Sequence, residues 1–248
     1  MPNLLDLLLD PASIVIYILY AGLILWEAIR PARLLPKIPY WRVKGFLAFG
    51  GYFVLSSYVP FLWSDLLAPL RLTDLSSLPT WAGAAIAVVI YEALAYWYHR
   101  AMHTVPVLWR IFHQAHHSAE RLDTWSAFWF SPWDTVGFTL MFSLAVTIVG
   151  FSAESTVWAV WITTFLAVFQ HANISTPEWL GYIIQRPESH SLHHGRDVHF
   201  GNFADVPVFD MMFGTFTNPK DFVPETGFYQ GASSRYFEMI LGVDVTSK

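Results

Sequence analysis

The 248-residue sequence holds ten histidines, and all of them fall between His99 and His199. They are grouped. His99 and His103 form an H-x₃-H, His113, His116 and His117 an H-x₂-H-H, and His190, His193 and His194 a second H-x₂-H-H, with His171 alone between them and His199 beyond. Residues three or four apart share one face of an α-helix. Each multi-histidine group is therefore predicted to grip one ion. Imidazole suits iron, zinc, copper and nickel and suits magnesium or calcium poorly. Setting His199 aside as an adaptable residue equally suited to hydrogen bonding at an interface, nine ligands remain. Nine exceed the four that a tetrahedral zinc site needs. The inventory points to two ions of higher coordination, each with a position left for oxygen or water.

Other residues could serve this cluster. Glu92 lies seven residues before His99, so on a helix it shares that face about two turns into an apolar run. A carboxylate there is costly and reads as functional; it is expected to orient His99 through the free ring N–H. Asn173, two residues after His171, could contact a metal directly or through water. Glu188 and Asp197 flank the last group as candidate histidine orienters. Glu92 and Asn173 are the two non-histidine residues expected to take part in catalysis.

Something must hold these groups together, and the composition indicates a membrane bundle. Hydrophobic residues make up 54% of the chain and charged residues 13%, about half the share usual in soluble domains. Five apolar stretches suit membrane spans, at residues 13–29, 45–70, 81–98, 136–151 and 156–170. The second is interrupted by Gly50-Gly51 and Pro60, which predicts a kink or a re-entrant part. Arg30, Arg33, Lys37, Arg42 and Lys44 follow the first span. Arg100, Arg110 and Arg121 follow the third, and Arg186, Arg196, Lys220, Arg235 and Lys248 follow the fifth. Only Arg71 lies on the other side. By the positive-inside rule the N-terminus is outside, and the histidine segments 99–125 and 171–216 and the C-terminus are cytoplasmic. The expected fold is one all-α integral-membrane domain over residues 1–248, with four to five transmembrane helices and a cytoplasmic histidine-rich helical cap. With no cysteine, disulfides, thiolate zinc sites and thiol catalysis are excluded. No basic run suits a phosphate backbone, so nucleic acid is not an expected partner. The first residues lack the basic n-region of a cleaved signal.

From Glu92 to Phe216 the chain resembles the fatty acid hydroxylase/sterol desaturase superfamily of membrane di-iron enzymes. The matching pieces are Tyr98-His99-Arg-Ala-Met-His103, His113-Gln-Ala-His116-His117-Ser-Ala-Glu120, His171-Ala-Asn173, Pro187-Glu-Ser-His190-Ser-Leu-His193-His194, and a tail from Gly201-Asn202-Phe203 through Phe209-Asp210 to Phe213-Gly214-Thr215-Phe216. The resemblance implies two iron ions held by His99, His103, His113, His116, His117, His171, His190, His193 and His194, with O₂ as co-substrate and a lipid as substrate. Where some members carry a second histidine four residues after the single one, this chain has Ser175. The aromatic stretch from Asp123 to Pro132 lacks an arginine expected of the family, which implies a different head-group end of the substrate.

The implied reaction is oxidation of an unactivated lipid C–H bond, most simply hydroxylation of a fatty acyl, sterol or related chain. Desaturation by the same cluster is the alternative. Trp125, Phe128, Trp129, Trp133, Trp158 and Trp161 could line an apolar slot, although most such residues pack or anchor at interfaces. No flavin or nicotinamide fingerprint and no haem domain is visible, so a separate reductase, cytochrome or ferredoxin is the expected electron donor. Two readings of another class remain open from the residues alone. A membrane zinc hydrolase needs fewer ligands and would carry an H-E-x-x-H; a metal transporter or sensor would place its ligands near the bilayer midplane.

Overall fold

Helix boundaries follow the capping residues that the sequence supplies. The computed structural model describes residues 1–247; Lys248, counted above among the basic residues, lies outside them. Asn3 caps α1 (Leu4–Leu9), and Asp10, accepting from the Ala12 N–H with Pro11 in the first turn, starts α2 (Pro11–Ile29). Then come α3 (Trp41–Tyr58) and α4 (Pro60–Leu67). The expected interruption occurs at Pro60 and not at Gly50-Gly51, where α3 runs on unbroken. Glycine weakens a helix but keeps its N–H, whereas proline lacks the donor. Val59 stays helical between the two, so there is a joint and no re-entrant loop.

The central helix, α5 (Thr80–Thr104), extends six residues past its predicted apolar end and carries His99 and His103 on its last turns. A helical stretch follows, made of α6 (Pro106–Leu108), a π-helical turn over Trp109–His113 and α7 (Gln114–His117). Beyond an aromatic loop, Ser131 caps α8 (Pro132–Val149). Gly150, at φ 73°, reverses the chain, and Ser152 caps α9 (Ala153–Phe169). Three short helices, α10 (Pro187–His193), α11 (Val208–Phe213) and α12 (Tyr236–Ile240), complete the order. Among the described residues there is no strand, only an isolated bridge between Gly195 and Thr226.

Four helical segments are long and apolar enough to cross a membrane: Pro11–Ile29, Trp41–Leu70, Thr80–Thr104 and Pro132–Val149; Ala153–Phe169 is apolar but shorter. The chain is a multi-pass membrane protein. α5 packs between α8 and α9, α2 lies on α9, and α3 and α4 lie on α8. Side chains such as Ile18, Leu25, Leu47, Leu62 and Trp81 stay exposed, as expected of a lipid-facing surface. The densest apolar core sits at the histidine end, where Tyr20, Phe49, Phe128 and Phe169 interlock.

Small residues set the closest helix approach. A Cβ on Gly83 of α5 would lie 2.5 Å from Ser155 Oγ of α9, a small-on-small contact of the kind that lets membrane helices meet. Gly83→Val is expected to lower the apparent melting temperature in detergent by several degrees, a cost of about 1–3 kcal/mol. Gly22→Val, with nothing within 4 Å of its Cβ, is expected to leave it unchanged. Equal melting of both variants would mean that α5 and α9 do not meet there.

Candidate metal centre

The ends of α5 and α9 converge with α7 and α10, and nine histidines meet between them. His99, His103, His113, His117 and His193 form one group, and His116, His171, His190 and His194 a second; within each, the ligand atoms lie within 4.8 Å of one another. The H-x₃-H of α5 stays together. The two triplets do not. Each was expected to grip a single ion, yet each is divided, with His113 and His117 facing one group and His116 the other, and His190 and His194 facing one and His193 the other. The helix explains it: positions i and i+4 are about 40° apart around the axis, while i+3 lies about 60° to the opposite side. Each H-x₂-H-H therefore spans both groups. The stacked rings of His117 and His194, 4.1 Å apart at 10°, join them.

Ring tautomers are fixed from behind. Nδ1 of His99 donates to the Phe203 carbonyl at 2.7 Å, that of His193 to the Gly201 carbonyl at 2.7 Å, and that of His171 to the Ala167 carbonyl at 2.6 Å. Nδ1 of His113 donates to Asp134 Oδ2 at 2.8 Å, both side chains being buried. With Nδ1 holding the proton, Nε2 presents a lone pair. Yet Nε2 of His99 lies 2.9 Å from that of His113 and 3.1 Å from that of His193. No proton is left to join these atoms, so a buried arrangement of converging lone pairs results, each costing about 1–3 kcal/mol if unanswered. A cation answers all of them at once. The second group repeats the pattern, with Nε2 of His171 at 3.1 Å from those of His116 and His190. Both ring nitrogens of His103, and Nδ1 of His116, His190 and His194, are buried without hydrogen-bond partners.

The spacing also bears on coordination. With a metal–nitrogen bond of about 2.1 Å, neighbouring ligands lie about 3.0 Å apart in an octahedron and about 3.4 Å in a tetrahedron. The closest nitrogens, 2.9–3.1 Å apart, stand at the separation of neighbouring ligands that share one ion. Burial reinforces the donor chemistry, holding His113, His116, His117, His190, His193 and His194 well below the usual imidazole range, with neighbouring histidines adding to the effect. It lowers His171 to about 4. Neutral imidazoles are the form that binds metal.

The tail segment supplies the two carbonyls that set His99 and His193. Gly201 and Asn202 both have positive φ, at 85° and 55°, turning the chain so that the carbonyls at 201 and 203 face the histidines. Asp210 accepts from the Phe203 and Ala204 N–H groups, and Asn202 bonds Ser189 and Thr217 on both sides. Glu92 belongs to this scaffold. It does not orient His99 as expected; its Oε2 accepts from the backbone N–H groups of Asp205 and Val206 at 2.9 and 3.2 Å, while the Phe203 carbonyl takes the His99 proton. Asn173 is anchored by its Nδ2 to the Arg33 carbonyl and by its N–H to Glu27, which leaves Oδ1 buried without a partner. Glu188 does not hold a histidine either. It accepts from both the N–H and the hydroxyl of Thr176 and pairs with Arg186. Asp197 is exposed, and His199, outside both groups, is exposed against Trp109.

Asp134 was missed in the sequence. Its signal was a carboxylate in the first turn of an apolar helix, downstream of the second histidine group. Glu27 was missed as well; near the end of α2 it accepts from Thr124 N–H, Thr124 Oγ1 and Asn173 N–H, tying the aromatic loop to the segment after His171. Among the described residues, Asp134 is the one carboxylate hydrogen-bonded to any of the nine histidines. Asp134→Ala is expected to weaken metal binding at the five-histidine group about 10- to 100-fold, read by titrating metal into stripped protein, while Asp134→Asn, which keeps an acceptor, loses less. Equal affinity in the alanine variant would show that the contact does not position His113.

A chamber of about 80 Å³ opens on the centre, walled by His99 and His113 of one group and His116, His171 and His190 of the other. Beyond it a cavity of about 530 Å³ runs between the helices, mostly apolar, with Ile16, Phe53, Phe142, Val146 and Val160 in its wall. The two share Tyr52, Tyr91, Phe138, Thr163 and Thr164. Of the aromatic residues expected to line a slot, Phe128 borders the chamber; Trp133 and Trp158 are exposed.

The fatty acid hydroxylase family model matches residues 84–215, just over half the chain. Alkylglycerol monooxygenase of Xenopus tropicalis is 30% identical over 139 residues, covering 51% of this chain and 28% of that protein. Protein CER1-like 1 of Arabidopsis thaliana is 26% identical over 174 residues, covering 62% of this chain and 27% of that protein. The chain thus aligns with little more than a quarter of the length of either relative. No solved structure matches it. The matched residues contain all nine histidines of the two groups together with Glu92, Asp134 and the tail segment through Thr215, and the chain belongs to the fatty acid hydroxylase family.

Proposed function

We propose that this protein is an O₂-dependent di-iron oxygenase that hydroxylates a C–H bond of a membrane lipid. The observation that carries the reading is the joint arrangement of two neutral-histidine groups around one chamber that adjoins an apolar cavity inside the bundle. His99, His103, His113, His117 and His193 would hold one iron, and His116, His171, His190 and His194 the other. Bound there, the irons would supply the electrons and the activated oxygen for C–H oxidation.

The chain's own residues do the rest. The apolar cavity falls within the range of about 300–1,000 Å³ typical of small-molecule sites, and would take the hydrocarbon part of the substrate. Tyr52, Tyr91 and Phe138 stand between it and the chamber, so one carbon at a time would meet the centre while water is kept out. The carbonyls of Gly201 and Phe203, with Asp134, hold the histidine rings in place. Glu92 supports the reaction by fixing the loop behind His99. Asn173 Oδ1, buried and free, is the atom through which that residue would reach a metal, directly or through water. The relative named a monooxygenase favours hydroxylation over desaturation. Nine ligands, more than a tetrahedral site takes, speak against a zinc hydrolase.

The distribution of basic residues supports a cytoplasmic metal centre and C-terminus with the N-terminus outside. A separate reductase, cytochrome or ferredoxin would then dock at the cytoplasmic face. Protein purified after growth with iron is expected to hold about two irons per chain, one for each histidine group, and to take up O₂ once reduced with dithionite. His193→Ala, which removes one ligand of the five-histidine group, is expected to lose about half of the iron and the O₂ uptake. A single tight zinc with no iron and no O₂ uptake would overturn the reading.

A further inference from the structure

The implied reaction consumes protons, and the histidines cannot supply them. Inserting one oxygen atom follows R–H + O₂ + 2e⁻ + 2H⁺ → R–OH + H₂O, with the electrons coming from a one-electron donor protein or dithionite. Metal-binding imidazoles have no proton to give at Nε2; the Nδ1 protons of His99, His113, His171 and His193 are tied to carbonyls and to Asp134, and the N–H of any neutral imidazole is too weak an acid to serve as a donor. The chamber wall nevertheless holds an acid. Among the described residues, Asp205 is the one carboxylate lining it, in the same wall as His99, His113, His116, His171 and His190.

Asp205 is held in place from several sides. Its Oδ1 accepts from Gln170 Nε2, at the end of α9, at 2.7 Å. Its backbone N–H donates to Glu92 of α5 at 2.9 Å, and its carbonyl accepts from the Gln185 N–H at 2.7 Å. The other oxygen of Glu92 is buried with no partner. Tyr52 of α3 and Tyr91 of α5 share the chamber wall, and Asp210 of α11 holds the same loop two residues upstream. Among the described residues, no arginine or lysine lines the chamber. A carboxyl group so placed is fixed in position and free of a cationic partner.

Resting on the di-iron oxygenase reading, we infer that Asp205 is a catalytic acid of this centre, which protonates the oxygen atom that departs as water when the O–O bond breaks. In that step the Asp205 O–H bond breaks and a new O–H bond forms on the departing oxygen, the electron pair of the O–O bond goes to that oxygen, a second proton from solvent completes the water, and the carboxylate left behind is reprotonated from solvent before the next turnover. The carboxyl's acidity suits the task. Burial pushes it up to about 7, with the Gln170 hydrogen bond opposing the rise and Asp210 adding to it, and an acid that titrates near the working pH is the effective kind.

The test needs O₂ alone as probe. Full-length, iron-loaded protein in detergent is reduced with dithionite, freed of excess reductant and mixed with O₂, and its reoxidation is followed by stopped-flow absorbance across pH in H₂O and D₂O. The wild type is expected to hold its rate below pH of about 7, to slow as pH rises through that value, and to show a solvent isotope effect. Asp205→Asn should keep its iron and slow at least tenfold, general acids contributing about 10²–10⁴-fold, with the alkaline decline and the isotope effect gone. Asp205→Glu should restore both in part. Gln170→Leu, which removes a bond that favours the ionised form, should move the decline upward; this keeps the inference testable if Asp205→Asn loses iron. Wild-type rate and pH profile in Asp205→Asn, or an unmoved profile in Gln170→Leu, would overturn the inference alone. A reduced wild type that does not react with O₂ would overturn the oxygenase reading and this inference with it.

Discussion

Unprotonated imidazole nitrogens held about 3 Å apart in a buried site are the constraint around which the molecule is organised. Lone pairs repel, and nothing in an apolar interior softens that repulsion except a cation. Four of the nine rings, those of His99, His113, His171 and His193, are held from behind. The structure does this with a carboxylate from α8, a helix carbonyl from α9 and two carbonyls from the tail loop. The surrounding polar network exists largely to hold those acceptors still.

That network explains why so many costly groups are buried at one end of a membrane bundle. Glu92, Asp210 and Asn202 bind the backbone of residues 202–206 and 217, and Glu27 binds residues 124 and 173. None of them is hydrogen-bonded to a ring nitrogen of the nine histidines; they fix the segments that are. Glu27 and Asp210 each accept three N–H or O–H bonds, and hydrogen-bonded polar networks of this kind rigidify a site. A helix, by contrast, meets its own backbone needs. The division of labour follows: long helices supply position across the membrane, and short hydrogen-bonded loops supply orientation at its edge.

The bundle adds a second asymmetry. In the five-histidine group, His99, His113 and His193 are anchored through Nδ1; in the four-histidine group only His171 is, while His116, His190 and His194 have partnerless Nδ1 atoms. One half of the centre is stiffly set and the other is freer to adjust. The chamber touches both halves, and the apolar cavity reaches it past Tyr52, Tyr91 and Phe138. The histidine groups and the apolar cavity thus meet at the boundary between polar cap and apolar bundle.

The sequence by itself determined which residues form the centre, because clustered histidines after apolar spans have few other uses and helical spacing places them on shared faces. It also determined the membrane bundle, since an apolar run long enough to span a bilayer is a local property of the chain. Only the tertiary structure decided how the histidines divide. Whether i+3 faces the same ion as i and i+4 depends on where neighbouring helices stand, and here α5 and α9 stand so that each triplet is shared. Nor could the chain alone assign the orienting groups. Glu92 shares the face of His99 in sequence, yet the Phe203 carbonyl, 104 residues away, reaches the ring first. Asp134, Glu27 and Asp205 went unnoticed for the same reason: a carboxylate's partners lie across the fold, and no periodicity records them.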